Sequence, residues 1–231
     1  MLTISVVYPE LLGTYGDGGN ALVLQSRARL RGIEARVVPA VCGERLPDAA
    51  IYLVGGGEDG PQRQAVGALR EEGTLLARVE SGAVVVAVCA GLQILGERFD
   101  VGDGETVEGL GLAPLVTRRS AVRRVGELLV ETPSGLLVGF ENHGGVTQVL
   151  EAPALGRVVV GFGNDGVVDG CRLPRVVGTY AHGPVLALNP FLADEVLALA
   201  LDVRLDALST IADRLHDERV ARVRQAAPRR P

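Results

Sequence analysis

A cysteine and a histidine stand at positions in this chain where they could act as a nucleophile and its base. Cys89 ends the apolar run Ala83 to Val88, and the small residues Ala90 and Gly91 after it permit a sharp turn into a helix. The positive end of such a helix favours a thiolate, and the N–H of Ala90 would point to a developing oxyanion. We predict that Cys89 is a nucleophile with Ala90 as an oxyanion donor; a buried structural cysteine is the alternative.

The histidine that fits the role of base follows another predicted strand. The segment Arg175 to Thr179 is apolar and β-branched, and His182 comes shortly after it, so that it could share the carboxyl edge of a sheet with Cys89. There it could hold the thiolate and shuttle protons. His143 is a rival with a supporting or substrate-binding role open to it, and Glu141 and Asp17 are both candidates for orienting the His182 ring.

A run of three glycines, Gly55 to Gly57, leaves the predicted strand Ile51 to Val54. Glycines allow close approach of a backbone and positive φ angles, so their amides can face a bound oxygen. A Walker loop would need a lysine, and the chain has none because all 23 of its basic residues are arginine. We predict instead that Gly56 completes an oxyanion hole with Ala90.

Charge and composition narrow the class of protein. The 28 acidic and 23 basic residues give a formal net charge of −5, which disfavours nucleic-acid binding because that affinity comes mostly from neutralised phosphates. The spacing of Cys42, Cys89 and Cys171 supports neither a disulfide framework nor a zinc site, so no metal is expected. Without a membrane-length apolar run or a signal-peptide pattern, we expect a cytoplasmic protein with no membrane insertion.

Alternating strands and helices must position these residues in the first half of the chain. Helices are predicted over Asn20 to Arg31 and Gln62 to Val79. The strands between them are uniformly apolar, which is typical of a parallel sheet covered on both faces. They are predicted at Leu2 to Val7, Ala35 to Val38, Ile51 to Val54 and Ala83 to Val88.

The second half has a different pattern. Between Val101 and Val177, short β-like pieces such as Leu128 to Glu131 and Leu136 to Glu141 predict a mixed or antiparallel extension of the same sheet. Two helices are predicted near the end of the chain, over Pro190 to Leu201 and about Asp206 to Arg224. With 231 residues and 47% hydrophobic residues, we expect one α/β domain.

The turn around Cys89 resembles the nucleophile motif G-x-C-x-G-x-Q of class I glutamine amidotransferases. Cys89, Gly91 and Gln93 match it, whereas Ala87 stands at the place of the first glycine. More narrowly, the chain is similar to the cobyric-acid-synthase-like branch and, within it, to the glutaminase subunits of lipid II isoglutaminyl synthases. The segments that carry this similarity are 8–20, 55–59, 139–145 and 178–184.

The resemblance implies the fold and the reaction. It implies a three-layer, flavodoxin-like class I amidotransferase fold with a mostly parallel central sheet, over residues 1–204, and a C-terminal helix with a frayed tail over 205–231. It implies that Cys89 and His182 hydrolyse L-glutamine and that Arg123 holds this substrate, with the adjacent Arg124 as the alternative. The class usually has a glutamate two residues after the histidine, but here Pro184 occupies that position.

A glutaminase of this kind needs an acceptor for its ammonia, and no ATP-binding motif is present in the chain. The resemblance therefore implies a MurT-like Mur-ligase partner that carries ATP and Mg and amidates the D-glutamate of lipid II, with no cofactor in this chain. Apolar residues near the end of the chain could contact this partner or pack on their own sheet: Leu208, Ile211, Leu215 and Val220. A cobyrinate-type amidation, a non-catalytic amidotransferase-like module and a redox-sensing cysteine protein are the alternatives.

Overall fold

Two β-sheets, seven α-helices and one short 3₁₀ helix (Gly102–Gly104) make up the computed structural model, which describes residues 1–14 and 16–226. The strands are β1 (Leu2–Val7), β2 (Ala35–Ala40), β3 (Ile51–Val54), β4 (Val84–Val88), β5 (Arg98–Asp100), β6 (Thr106–Glu108), β7 (Leu115–Thr132), β8 (Gly135–Val149), β9 (Gly156–Val160), β10 (Val168–Asp169), β11 (Cys171–Leu173) and β12 (Val176–Thr179). The helices are α1 (Gly19–Leu30), α2 (Asp59–Glu72), α3 (Leu75–Glu80), α4 (Ala90–Leu95), α5 (Val185–Leu188), α6 (Pro190–Leu201) and α7 (Ile211–Ala226).

The first sheet has the strand order β11-β12-β4-β3-β1-β2. Its strands are parallel except β11, which runs antiparallel to β12. Every residue of β3, β4 and β12 is buried, which explains why these strands carry apolar side chains on both faces. The mostly parallel sheet predicted from the sequence is present, and its carboxyl edge carries the residues that follow β3, β4 and β12.

The segment between the two halves of this sheet forms a second sheet, so the predicted extension of the first sheet is wrong. The second sheet has the order β10-β9-β7-β5-β6, and β8 pairs with β7. Strands β7 and β8 form one long antiparallel hairpin whose register breaks between Arg119 and Arg124. The predicted short strands at residues 128–131 and 136–141 are parts of these longer strands. Pairing with β8 on both sides of this break keeps the charged part of β7 in the sheet, although that part has no apolar alternation.

Two predicted helices have different limits in the structure. The helix predicted from Gln62 to Val79 is interrupted at Gly73, whose φ of 71° ends α2 before α3 begins. The N–H of Gly73 bonds the carbonyl of Leu69 at 3.0 Å, a common way to end a helix. Helix α7 begins at Ile211 rather than near Asp206 and extends to Ala226, the first residue of the predicted frayed tail 226–231. Residues 227–231 lie outside the described residues.

Helix α7 packs against the second sheet through Val220 and Val223, which form a small cluster with Leu129 and Val138. Ile211 and Leu215 on the same helix are exposed, so only part of the predicted apolar set packs within the chain. No helix of the described part of the chain is long and apolar enough to cross a membrane.

Candidate active site

Cys89 occupies a strained turn between β4 and α4. Its φ of 53° and ψ of −106° are unusual for a residue with a side chain, and such strain is typical of functional turns. The Cys89 N–H donates to the carbonyl of Thr179 at 2.9 Å, and its carbonyl accepts from the N–H of Gln93 at 3.1 Å. These bonds tie the turn to β12 on one side and to the first turn of α4 on the other.

Glycine at position 91 allows α4 to approach the end of β3. A Cβ atom built at Gly91 would lie 2.2 Å from the carbonyl oxygen of Val54, which no side chain could tolerate. A Cβ atom at Gly55 would lie 2.1 Å from the carbonyl oxygen of Leu12. The glycine loop is therefore packed between the Cys89 turn and the segment that precedes α1.

His182 comes to the same sheet edge as Cys89. Strands β12 and β4 are parallel neighbours in which Thr179 pairs with Val88, one residue before Cys89. The His182 N–H donates to the Phe140 carbonyl at 2.8 Å, and the Phe140 N–H donates to the His182 carbonyl at 3.2 Å. This bridge joins the two sheets and fixes the backbone of His182, whose side chain is buried.

Asp17 lies next to the buried histidine. Its Oδ2 atom is 3.6 Å from Nδ1 of His182 and accepts the N–H of Gly56 at 2.8 Å. The second contact concerns the predicted oxyanion hole, because the Gly56 N–H that would donate to an oxyanion already donates to the Asp17 carboxylate. Gly57, the next residue, lines the cavity beside Cys89.

Glu141, the other candidate for orienting His182, contacts a different histidine. Its Oε2 atom lies 3.1 Å from Nε2 of His143, and its two oxygens accept the N–H groups of Phe162 and Gly163 at 2.7 and 2.8 Å. The His143 ring stacks on Tyr180 with centroids 3.9 Å apart. Glu141 therefore positions His143 and a neighbouring loop, and Asp17 is the carboxylate beside His182.

A cavity of about 310 Å³ opens over the Cys89 turn. Its wall includes Ala90, Gln93 and His143, together with the start of α2 and the irregular part of β7. The Gln93 side chain donates to the Tyr180 hydroxyl at 3.0 Å and accepts from Nε2 of Gln62 at 2.8 Å. A cavity of this size suits a small polar molecule, and the glutamine side chains fix the shape of its floor.

The two adjacent arginines proposed as substrate ligands have different surroundings. Arg123 lines the cavity, and its Nε atom donates to Oδ1 of Asn142 at 2.7 Å. The Arg124 guanidinium stacks 4.0 Å from the ring centroid of Phe162. Arg119, which sequence reasoning missed, also lines the cavity, where it pairs with Asp59 at 2.7 Å.

The thiol of Cys89 is less acidic than the sequence predicts. Burial, and secondly the negative charge of Asp17, raise the pKa of Cys89 to about 12, although the N–H of Ala90 and the charge of Arg123 act in the opposite direction. The short helix α4 cannot offset the loss of hydration. Burial thus shifts the pKa of Cys89 upward, opposite to the direction expected from the helix terminus alone.

Cys89 in the turn after β4 and His182 after the neighbouring parallel strand β12 form the arrangement typical of a class I glutamine amidotransferase. Comparison with known protein families gives the same class. Residues 3–190 match the model of the CobB/CobQ-like glutamine amidotransferase domain, so the chain belongs to this family. Two relatives are GatD subunits of lipid II isoglutaminyl synthase (glutamine-hydrolyzing). The chain is 34% identical to that of Staphylococcus aureus, over 87% of this chain and 85% of the relative, and 32% identical to that of Streptococcus pneumoniae, over 91% and 86%.

Other relatives and solved structures support the fold. The cobyric acid synthase of Streptomyces avermitilis is 35% identical over 61% of this chain but only 26% of its own length. A crystal structure of a glutamine amidotransferase superposes with a TM-score of 0.61 at 24% identity, covering 85% of this chain and 98% of the other. The predicted fold class and the predicted resemblance are confirmed. Residues 1–14 and 16–226 contain no group of three or more side chains arranged to hold a metal ion.

Proposed function

We propose that this chain is the glutaminase subunit of a lipid II isoglutaminyl synthase and that Cys89 and His182 hydrolyse L-glutamine. The observation that carries the proposal is the position of these two residues after the paired strands β4 and β12, with Asp17 beside the histidine. The near full-length similarity to two GatD subunits supports the same assignment.

The reaction begins from a neutral thiol. As the Cys89 sulfur attacks the side-chain carbonyl of glutamine, His182 takes the thiol proton, and Asp17 stabilises the imidazolium that forms. The negative oxygen of the tetrahedral intermediate is held by the N–H of Ala90 and by the glycine loop. Gly56 can donate there only if its N–H leaves Asp17, whereas Gly57 already lines the cavity.

The second half of the reaction returns the enzyme to its starting state. His182 gives its proton to the departing ammonia, which leaves a glutamyl thioester on Cys89. Water then attacks the thioester while His182 acts as the base, and glutamate is released with the thiol restored. Arg123 binds the α-carboxylate of the substrate throughout, with Asn142 holding its guanidinium in place.

The ammonia serves a second subunit. The relatives are named as subunits, and we infer a MurT-like Mur-ligase partner that uses ATP and Mg to activate the D-glutamate carboxylate of lipid II. We assign residues 1–204 to the glutaminase domain and 205–231 to a C-terminal extension, and we expect the complex to work in the cytoplasm. Exposed Ile211 and Leu215 on α7 are available for contact with a partner.

Glutamate release from glutamine by the co-purified complex tests the proposal. Cys89→Ala and His182→Ala should each abolish release, whereas Cys42→Ala, which changes a partly exposed cysteine far along the chain from the turn, should retain it. Unchanged release in the Cys89 variant would refute the mechanism. Amidation of lipid II that requires both glutamine and ATP would identify the acceptor.

A cobyrinate-type amidation is the second candidate, because cobyric acid synthases also match this chain. Those matches cover 45–72% of this chain and only 24–35% of the relative. Incubation of the complex with a cobyrinate substrate, glutamine and ATP distinguishes the two acceptors.

A further inference from the structure

An ion pair stands in the wall of the catalytic cavity. Nη2 of Arg123 lies 4.0 Å from Oε1 of Glu58, and both residues line the cavity that contains Cys89. Glu58 is the residue before α2 and has an extended backbone (φ −82°, ψ 163°), and Arg123 lies in the irregular part of β7. Opposite charges from two separate elements thus meet at one place in the pocket.

Both charges are close enough to the reacting sulfur to influence it. The positive charge of Arg123 lowers the pKa of the Cys89 thiol, and the negative charge of Glu58 raises it. Cys89, Glu58 and Arg123 line the same cavity. A substrate whose carboxamide reaches Cys89 can therefore place its other end against the Glu58–Arg123 pair.

The other carboxylates of the cavity have structural contacts. Oδ2 of Asp59 accepts from Arg119 at 2.7 Å and from the N–H of Gly102 at 2.8 Å. Asp100 accepts from the hydroxyl of Thr106 at 2.8 Å and from the N–H of Arg119 at 3.2 Å. These two aspartates brace the segment after β5 against α2. The Glu58 side chain is 58% exposed.

We propose that Glu58 binds the α-ammonium group of glutamine while Arg123 binds its α-carboxylate. An α-amino acid carries both charges on one carbon atom, so a cation and an anion side by side form a complementary site for it. Each group gains a charge-assisted hydrogen bond that a substrate lacking that charge cannot make. The inference rests on the proposed glutaminase function. It assigns to Glu58 and Arg123 the selectivity of that site for a free α-amino acid.

The test compares glutamine with glutaramate, which has the same carboxamide chain and carboxylate but no α-amino group. In the glutaminase complex, Glu58→Gln should lower the ratio of kcat/KM for glutamine to kcat/KM for glutaramate about 10-fold, as expected for loss of a hydrogen bond to a charged group. Loss of the Glu58 charge also alters the Cys89 thiol. That effect applies equally to both substrates, so it cancels in the ratio of their kcat/KM values.

Two matched variants complete the experiment. Glu105→Gln removes an acidic side chain of similar exposure (52%) that pairs with Arg63 outside the cavity, and it should leave the ratio unchanged. If the glutamine-to-glutaramate ratio of kcat/KM is unchanged in Glu58→Gln, the inference is overturned. The same conclusion follows if this ratio falls in Asp59→Asn but not in Glu58→Gln. Absence of glutamate release by the unsubstituted complex would instead refute the proposed function, so the two failures are distinguishable.

Discussion

Asp17 and His182 lie side by side in the interior, with Oδ2 of the carboxylate 3.6 Å from Nδ1 of the imidazole. Both side chains are buried. Pro184 occupies the position at which the wider class has a glutamate, so the carboxylate beside His182 comes from the segment before α1 instead. The same Asp17 oxygen accepts the N–H of Gly56 and thereby connects the histidine to the glycine loop.

Asp17→Asn should lower kcat for glutamine hydrolysis roughly 100-fold with little change in KM. Asparagine keeps the size of the side chain and an acceptor for Gly56, but it cannot stabilise an imidazolium. The loss should be smaller than the ~10⁴-fold effect of the equivalent change in serine proteases, because the contact here is longer.

Steady-state kinetics on the complex measure this effect, and Asp48→Asn serves as the control. Asp48 is fully exposed and pairs with Arg78 far from the cavity. A rise in KM at constant kcat would contradict a role in positioning His182 and would indicate a role in substrate binding.

Alkylation of Cys89 by iodoacetamide should be slow at neutral pH and should rise about tenfold per pH unit between pH 7 and pH 10 without a plateau. The reason is the raised pKa of about 12, which leaves very little of the thiol ionised at pH 7. Mass spectrometry of peptides containing Cys89 and Cys42 measures both rates in the same sample. A plateau below pH 9 would mean that the resting site holds a thiolate.

Gly91→Ala should destabilise the protein by at least about 2 kcal/mol, since its Cβ atom would overlap the Val54 carbonyl. Gly67→Ala is the matched control. Gly67 lies in the exposed part of α2, and an added Cβ atom there would meet no heavy atom within 4 Å, so alanine should stabilise the helix by ~0.5–1 kcal/mol. Urea unfolding gives both values; equal stability of the two variants would contradict the close approach of α4 to β3.

Asp169→Asn should remove a pH dependence of stability between about pH 4 and pH 6. Burial raises the pKa of Asp169 from 3.8 to about 6, even though the Thr179 hydroxyl and the Tyr180 N–H both bond its carboxyl group. Because the folded state holds this proton more tightly, the stabilising contribution is complete below pH 4 and is lost as the pH rises through 6.

The size of this contribution is about 3 kcal/mol. Thermal melts of the wild-type and Asp169→Asn proteins across this pH range measure it as a difference in slope. Parallel curves would show that Asp169 titrates in the folded state as it does in the unfolded chain.

Local patterns were sufficient to predict much of the site. The apolar run before Cys89 and the small residues after it specify a buried strand and a tight turn, because burial on both faces and close approach of the backbone restrict which residues fit. The strand limits Leu2–Val7 and Ile51–Val54 agree with the structure for the same reason. The long β7–β8 hairpin was missed because cross-strand pairing on both sides of residues 120–123, not apolar alternation, holds this charged segment in the sheet.

The sequence by itself indicated a cysteine as the candidate nucleophile, the order of strands and helices that carries it and, through the family resemblance, an arginine as the candidate substrate ligand. Only the tertiary structure decided which carboxylate faces His182, which amide of the glycine loop is occupied and which histidine Glu141 holds. It also reversed the expected direction of the Cys89 pKa shift. Hydrogen-bond partners and hydration depend on segments that lie far apart in the chain and meet only when the two sheets pack together.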